Sequence, residues 1–125
     1  MAEFDNYRKR TEKEKQNIYD LAVSTTVTEL LGTVDNFERA LKQETTDKSF
    51  YEGVSMIYRQ LLTVLEKLNV TPIEAAGKTF DPDYHNAVLH IEDDTLEENI
   101  VVEELQKGYL YKEKVIRYSM VKVAN

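Results

Sequence analysis

The chain contains no cysteine and no tryptophan. Without thiols there is no disulfide framework, no thiolate nucleophile and no cysteine-based zinc or iron–sulfur site, and this absence predicts an intracellular, cytoplasmic protein. Two histidines leave little for a histidine-rich metal site, so no metal or other cofactor is expected. Glycine is scarce as well: Gly32, Gly53, Gly77 and Gly108 stand far apart, which excludes both the G-x-G-x-x-G fingerprint and the phosphate-binding P-loop. No run longer than eight residues is free of Asp, Glu, Lys and Arg. A membrane span needs about 20 apolar residues and a secretory leader an apolar core of about 7–15, so no membrane association is predicted. Basic charge is outweighed, with 16 Lys and Arg against 23 Asp and Glu and a net charge of −7, which argues against nucleic acid as a partner. With 125 residues there is room for one compact domain or for an elongated chain ending in a small one, and not for a second enzyme domain.

What is present divides in two. Both prolines, Pro72 and Pro82, fall late, and the first 70 residues read as helix. The remainder reads as strands and turns, giving an α+β chain. Phe4, Tyr7, Thr11, Glu14, Ile18 and Leu21 follow alternating steps of three and four, a heptad seam weakened by its polar middle. A second series, Val27, Leu30, Val34, Phe37 and Leu41, keeps that spacing but is out of phase with the first. The slip falls in Ser24-Thr25-Thr26, poor helix interior, and Thr26 with Glu29 has capping-box spacing, so a kink or break is expected there. After a polar stretch at 43–48, a third helix carries Phe50, Val54, Ile57, Leu61, Leu65 and Leu68 on one stripe.

A hairpin of the second and third helices cannot hide its stripes alone, so dimerisation to a four-helix bundle is expected. Its interface would use Leu30, Leu31, Val34, Phe37, Ile57, Leu61 and Leu65, with the weak heptad running ahead as a paired helix. The competing reading is a monomer whose helices pack on its own β part. The expected divisions are 1–23, a coiled-coil-like helix; 24–69, the bundle hairpin; and 70–125, a small antiparallel β domain.

In the β part, 70–73, 87–91, 99–105 and 115–123 are strand candidates. Asp81-Pro82 has the form of an N-cap and first helical residue, predicting a short helical turn through Tyr84 and His85. Asp81, Asp83 and His85, with His90 and Glu92 nearby, form the single cluster of carboxylate and imidazole. A small metal-dependent hydrolase built there is conceivable, but Asp81 is better explained as a cap and the histidines lack the i,i+4 spacing of a helical metal site. Neither Ser55 nor Ser119 sits in a nucleophile-elbow setting. The basic run Arg8-Lys9-Arg10 is balanced by Glu3, Asp5, Glu12 and Glu14, and the acid-rich stretch 92–104 reads as a solvated loop.

One arrangement is more specific. Phe80-Asp81-Pro82, then His85, Ala87 and Val88, then Gly108-Tyr109 and Glu113, then Ile116-Arg117-x-Ser119-x-Val121-x-Val123 resembles the C-terminal signature of the GrpE family, the nucleotide-exchange factors of DnaK-type heat-shock chaperones. Upstream, AEFDNYRKRTE (2–12), ELLGTVDNFERAL (29–41), EGVSMIYRQLLTVLEKLNV (52–70) and VVEELQKGY (101–109) look like the family's long-helix, bundle and β-domain segments. The resemblance covers essentially the whole chain.

It implies a homodimeric co-chaperone of protein folding and the stress response, with no covalent chemistry of its own. Such a protein binds the nucleotide-binding domain of a DnaK-type chaperone and accelerates ADP release. On the matching motifs, Phe80, Asp81, Pro82, Leu105 and Val123 are expected to form or support the chaperone-binding surface, with Arg8 and Arg39 reaching acidic chaperone surface from the helices. The competing reading of Arg39 is a pair with the neighbouring Glu38. Gly53 is expected at close packing in the bundle, and Gly108 at a turn requiring positive φ. The family's further acidic segment and additional long helix ahead of Ala2 imply a stalk truncated at Met1. The alternative is a coiled-coil adaptor dimer without exchange activity.

Overall fold

The computed structural model describes residues 2–125, so the expected start of the stalk at Met1 lies outside the described residues. The element order is α1 (Ala2–Leu41), α2 (Lys48–Lys67), β1 (Val70–Pro72), β2 (His85–Ile91), β3 (Ile100–Gln106), β4 (Tyr109–Tyr111), β5 (Lys114–Arg117) and β6 (Ser119–Ala124).

The break expected at Ser24-Thr25-Thr26 does not occur, and two helices stand where three were expected. The hydroxyls bond back into the helix: Ser24 Oγ donates to the Leu21 carbonyl at 3.1 Å and Thr28 Oγ1 to that of Ser24 at 2.6 Å. The slip in the stripe has another cause. Six residues from Leu21 to Val27 turn the helix face by about 120°, and the two faces meet different surroundings. Phe4, Tyr7, Ile18 and Leu21 are exposed, whereas Val27, Leu31 and Val34 are buried under the β part. Acids at Glu3 and Asp5 and a base at Arg39 oppose the helix dipole at its two ends.

A tight turn follows α1, and Asp47 caps α2 by accepting from the Phe50 N–H at 3.1 Å. At the far end Asn69 takes the left-handed conformation (φ 64°) and the chain enters β1 at the next residue.

Among the described residues, six strands form two sheets of three, in the orders β1-β4-β5 and β2-β6-β3. The first is antiparallel throughout. In the second, β3 pairs antiparallel with β6 but β2 pairs parallel with it, so the domain is antiparallel-rich and not purely antiparallel. The single final strand expected over 115–123 is two strands: β5 ends at Arg117, β6 begins at Ser119, and Tyr118 carries the chain from one sheet to the other. The turn after Asp81 is shorter than expected, with the Asp81 carbonyl accepting from the N–H groups of Tyr84 (3.0 Å) and His85 (2.8 Å) before His85 opens β2.

Two cores result. The first sheet lies on the helices, where Val70, Tyr109 and Tyr111 bury themselves with Val27, Leu31, Val34 and Leu65. The helical stripes are thus partly hidden by the chain's own β part. The second core gathers Ala75, Val101, Val121 and Val123, with Phe80 packed against it.

Gly108 has no positive φ; among the glycines that conformation belongs to Gly77 (φ 78°). Gly108 is needed for space, because a Cβ there would meet the Ser119 backbone N, Ser119 Oγ at 2.6 Å and the Arg117 carbonyl at 2.7 Å. Around Gly53, by contrast, a Cβ would meet nothing within 4 Å inside the chain.

Candidate partner-binding surface

The second sheet and the turn ahead of it hold the β-domain residues singled out by the sequence. Asp81 organises the turn: its Oδ1 accepts from the Asp83 N–H at 2.9 Å, and its own N–H donates to Nδ1 of His85 at 2.9 Å. His85 is buried, with its ring 5.9 Å from that of Phe80. As Nδ1 accepts, the ring proton of the neutral form sits on Nε2, and the imidazole serves the turn. Among the described residues, no group of three or more His, Asp or Glu side chains is placed to hold a metal ion.

Phe80 is half-buried, Asp81 likewise, and Pro82 stands exposed on the turn. Leu105 lies 43% exposed at a bulge where β3 slips against β6. Val123 is only 4% exposed and belongs to the core, so it supports this surface from behind. Beyond what the motifs indicated, Val88, Leu89, Val102 and Met120 of the second sheet are all exposed. Lys122 and Glu103 pair across it at 3.2 Å.

Arg39 and Leu105 come together along a groove of about 260 Å³ between the end of α1 and β3, also lined by Asp35, Glu38, Lys42 and Lys107. Arg39 does not pair with Glu38: it donates to Oδ1 of Asn36, and Glu38 pairs with Lys42 at 3.6 Å. Arg8 is exposed far up the same helix, its guanidinium 5.9 Å from the Phe4 ring. Thirty-one residues of helix put it roughly 45 Å from Arg39. Of the residues expected at a dimer interface, Leu31, Val34 and Leu65 are covered by the chain's own first sheet, and Phe37 and Leu61 are half-buried. Leu30 and Ile57 remain 50% and 54% exposed.

Two acids of α1 that the sequence reading passed over hold the β part to the helix. Asp20 Oδ1 accepts from the Tyr111 hydroxyl (2.8 Å), Gln16 Nε2 (3.0 Å) and Lys112 Nζ (3.1 Å). The Tyr111 hydrogen bond in particular holds the Asp20 carboxyl below its usual range, and in return Asp20 pushes the Tyr111 phenol up to about 12. Asp35 takes a two-pronged contact from Arg117, with Nη1 at 2.8 Å from Oδ2 and Nη2 at 2.7 Å from Oδ1. Beside it, burial pushes the Tyr58 and Tyr109 phenols upward. An acid on the β-facing side of a helix was the available signal for both sites; their partners lie 82 and 91 residues away along the chain.

Comparison with known proteins accords with this arrangement. The family model described as GrpE matches residues 1–125. A protein GrpE of Lachnoclostridium phytofermentans is 54% identical over 128 aligned residues, covering 100% of this chain and 57% of the relative. Those of Oceanobacillus iheyensis (51% over 124 residues) and Clostridium acetobutylicum (52% over 124 residues) cover 98% and 99% of this chain, and 65% and 62% of their own length. The chain therefore spans about three-fifths of the curated relatives it matches. With a long first helix, a helical hairpin and a two-sheet β domain carrying the expected motifs in order, the chain belongs to the GrpE family.

Proposed function

We propose that this chain is a co-chaperone that accelerates ADP release from a DnaK-type chaperone by binding and opening its nucleotide-binding domain. The match of the GrpE family over residues 1–125 carries this reading. The protein does no covalent chemistry and uses no cofactor. It binds the open-cleft conformation of the chaperone more tightly than the closed, ADP-bound one, and that difference in affinity drives nucleotide release.

The surface offered to the chaperone is the second sheet with the Phe80-Asp81-Pro82 turn, where exposed Pro82 and Leu105 make contact and Phe80 and Val123 hold them in place. Arg39 adds a positive charge at the edge of the groove, and Arg8 a separate contact along the stalk. The acting form is a homodimer, in which the apolar faces of α1 and α2 left open in one chain, among them Leu30, Ile57 and Val64, meet those of a second copy. Because Leu31, Val34 and Leu65 already serve the intrachain core, their part in the bundle is to support these outer residues.

The reading makes a demand on equilibrium binding that an adaptor role does not. Linkage requires ADP to weaken the grip of the exchange factor on the chaperone by the same factor by which the exchange factor weakens that of ADP. Titration of nucleotide-free and ADP-loaded chaperone with this protein is expected to show tighter binding to the nucleotide-free form. Equal affinity for both forms would favour the adaptor.

A further inference from the structure

Of the three chain connections between the two sheets, the two shortest are Lys107-Gly108 between β3 and β4, and Tyr118 between β5 and β6. They pass so closely that Gly108 donates its N–H to Ser119 Oγ at 3.1 Å and has no room for a Cβ. The side chain of Arg117 sits at this waist. Its Nε donates to the Lys107 carbonyl at 2.9 Å, its guanidinium lies 5.4 Å from the Tyr109 ring, and its two terminal nitrogens grip Asp35 on α1. Gln106 Nε2 reaches the same carboxylate at 3.5 Å. One planar group thus ties together both ends of the waist and the long helix.

Apolar burial holds the first sheet on the helices, but it gives no direction to the second sheet, whose core is a separate cluster. Burial is non-directional, whereas a two-pronged contact between a guanidinium and a carboxylate fixes a plane and an angle. With 18% and 21% of their side chains exposed, Arg117 and Asp35 are sheltered enough for the pair to be ordered.

We propose that Asp35 and Arg117 are a positioning pair that sets the angle between the long helix and the second sheet, and so aims the partner-binding surface at the chaperone cleft while the stalk contacts are made. The inference rests on the exchange-factor reading for its consequence, but not for its geometry. Neither residue need touch the chaperone. Arg117 acts through the waist, and Asp35 through Arg117.

The chain has no cysteine of its own, so spin labels can be introduced at K13C on α1 and E98C beyond β2 and the intrachain distance measured after dilution with unlabelled chain. D35N keeps the shape of the side chain and removes its charge. It is expected to broaden the distance distribution while the circular dichroism of the folded protein stays unchanged. In release of fluorescent ADP from a DnaK-type chaperone, the maximal rate is expected to fall, by up to about a hundredfold, the scale of loss that a misplacement of about 1 Å brings. The half-saturating concentration should change less than the maximal rate, the split expected where the angle of the surface and not its composition has changed. D35E, which keeps the charge and both oxygens, should lie nearer to wild type in both readouts, and R117K, which keeps charge but loses the fork, nearer to D35N. A wild-type distance distribution in D35N would overturn the proposal, as would a loss of activity that merely follows the loss of folded protein. If the wild-type chain itself fails to accelerate ADP release, the functional reading falls, and the label distances alone decide whether the pair positions the sheet.

Discussion

At Gly108 the backbones of the two sheets pass within contact of each other, and no side chain fits between them. Gly108→Ala is expected to destabilise the fold by about 1–3 kcal/mol through overpacking against backbone that cannot yield, read as a lower denaturation midpoint in urea. The reason differs from the usual glycine argument, since here space and not positive φ selects the residue. Tyr111 makes a second prediction at this scale. Its bond to Asp20 depresses the acid's pKa, so the acid's contribution to stability is present above the ordinary carboxyl value of 3.8 and is lost as pH falls through the lower folded value. For the phenol the sign reverses: raised from 10.0 to about 12, it contributes fully below its ordinary value and loses that contribution as pH rises through the folded one. Tyr111→Phe should therefore be less stable than wild type at neutral pH, with the gap closing in acid and again in strong alkali. A gap independent of pH would sink the assignment.

The helices show what a stripe of apolar residues can and cannot reveal. The end of α1 and the stripe of α2 were legible, because the polar stretch at 43–48 interrupts the period; the cap at Asp47 went unread. The phase slip at Ser24 was legible too, but its meaning was not: a helix that changes partners along its length gives the same slip as one that breaks. Strand periodicity failed in a related way. The alternation from Val115 to Val123 continues through Tyr118 although the chain there changes sheets, and nothing local reports the crossing. Core residues at the candidate surface were read by motif, so Val123 could not be told from the exposed Leu105. Asp20 and Asp35 were missed because their worth lies in partners distant in sequence. Gly53 carries a test of the bundle. In one chain its site is open, and alanine in a helix interior is favoured over glycine by about 1 kcal/mol. Gly53→Ala should raise the stability of an isolated chain, but weaken self-association measured by sedimentation if a second copy packs there. Tighter association would remove the close-packing role.

The molecule as a whole divides labour between a long helix, a hairpin with apolar residues still exposed, and a two-sheet domain whose second sheet carries exposed apolar side chains. Leu105 joins the last of these to the groove beside Arg39. Leu105→Asp, at an exposed position, should change stability by no more than about 0.5 kcal/mol. It should still weaken chaperone binding about tenfold or more if the side chain is desolvated at the centre of the contact. Unchanged affinity, measured by calorimetry, would move the contact elsewhere on the domain.

The central claim is the acceleration of nucleotide release, and stopped-flow measurement tests it most directly. A DnaK-type chaperone preloaded with fluorescent ADP is mixed with this protein and excess unlabelled nucleotide, and the release rate is followed against protein concentration. The account predicts saturable acceleration by orders of magnitude. A release rate that stays at the chaperone's intrinsic value across the titration, with the protein shown to be a folded dimer in the same sample, would contradict it.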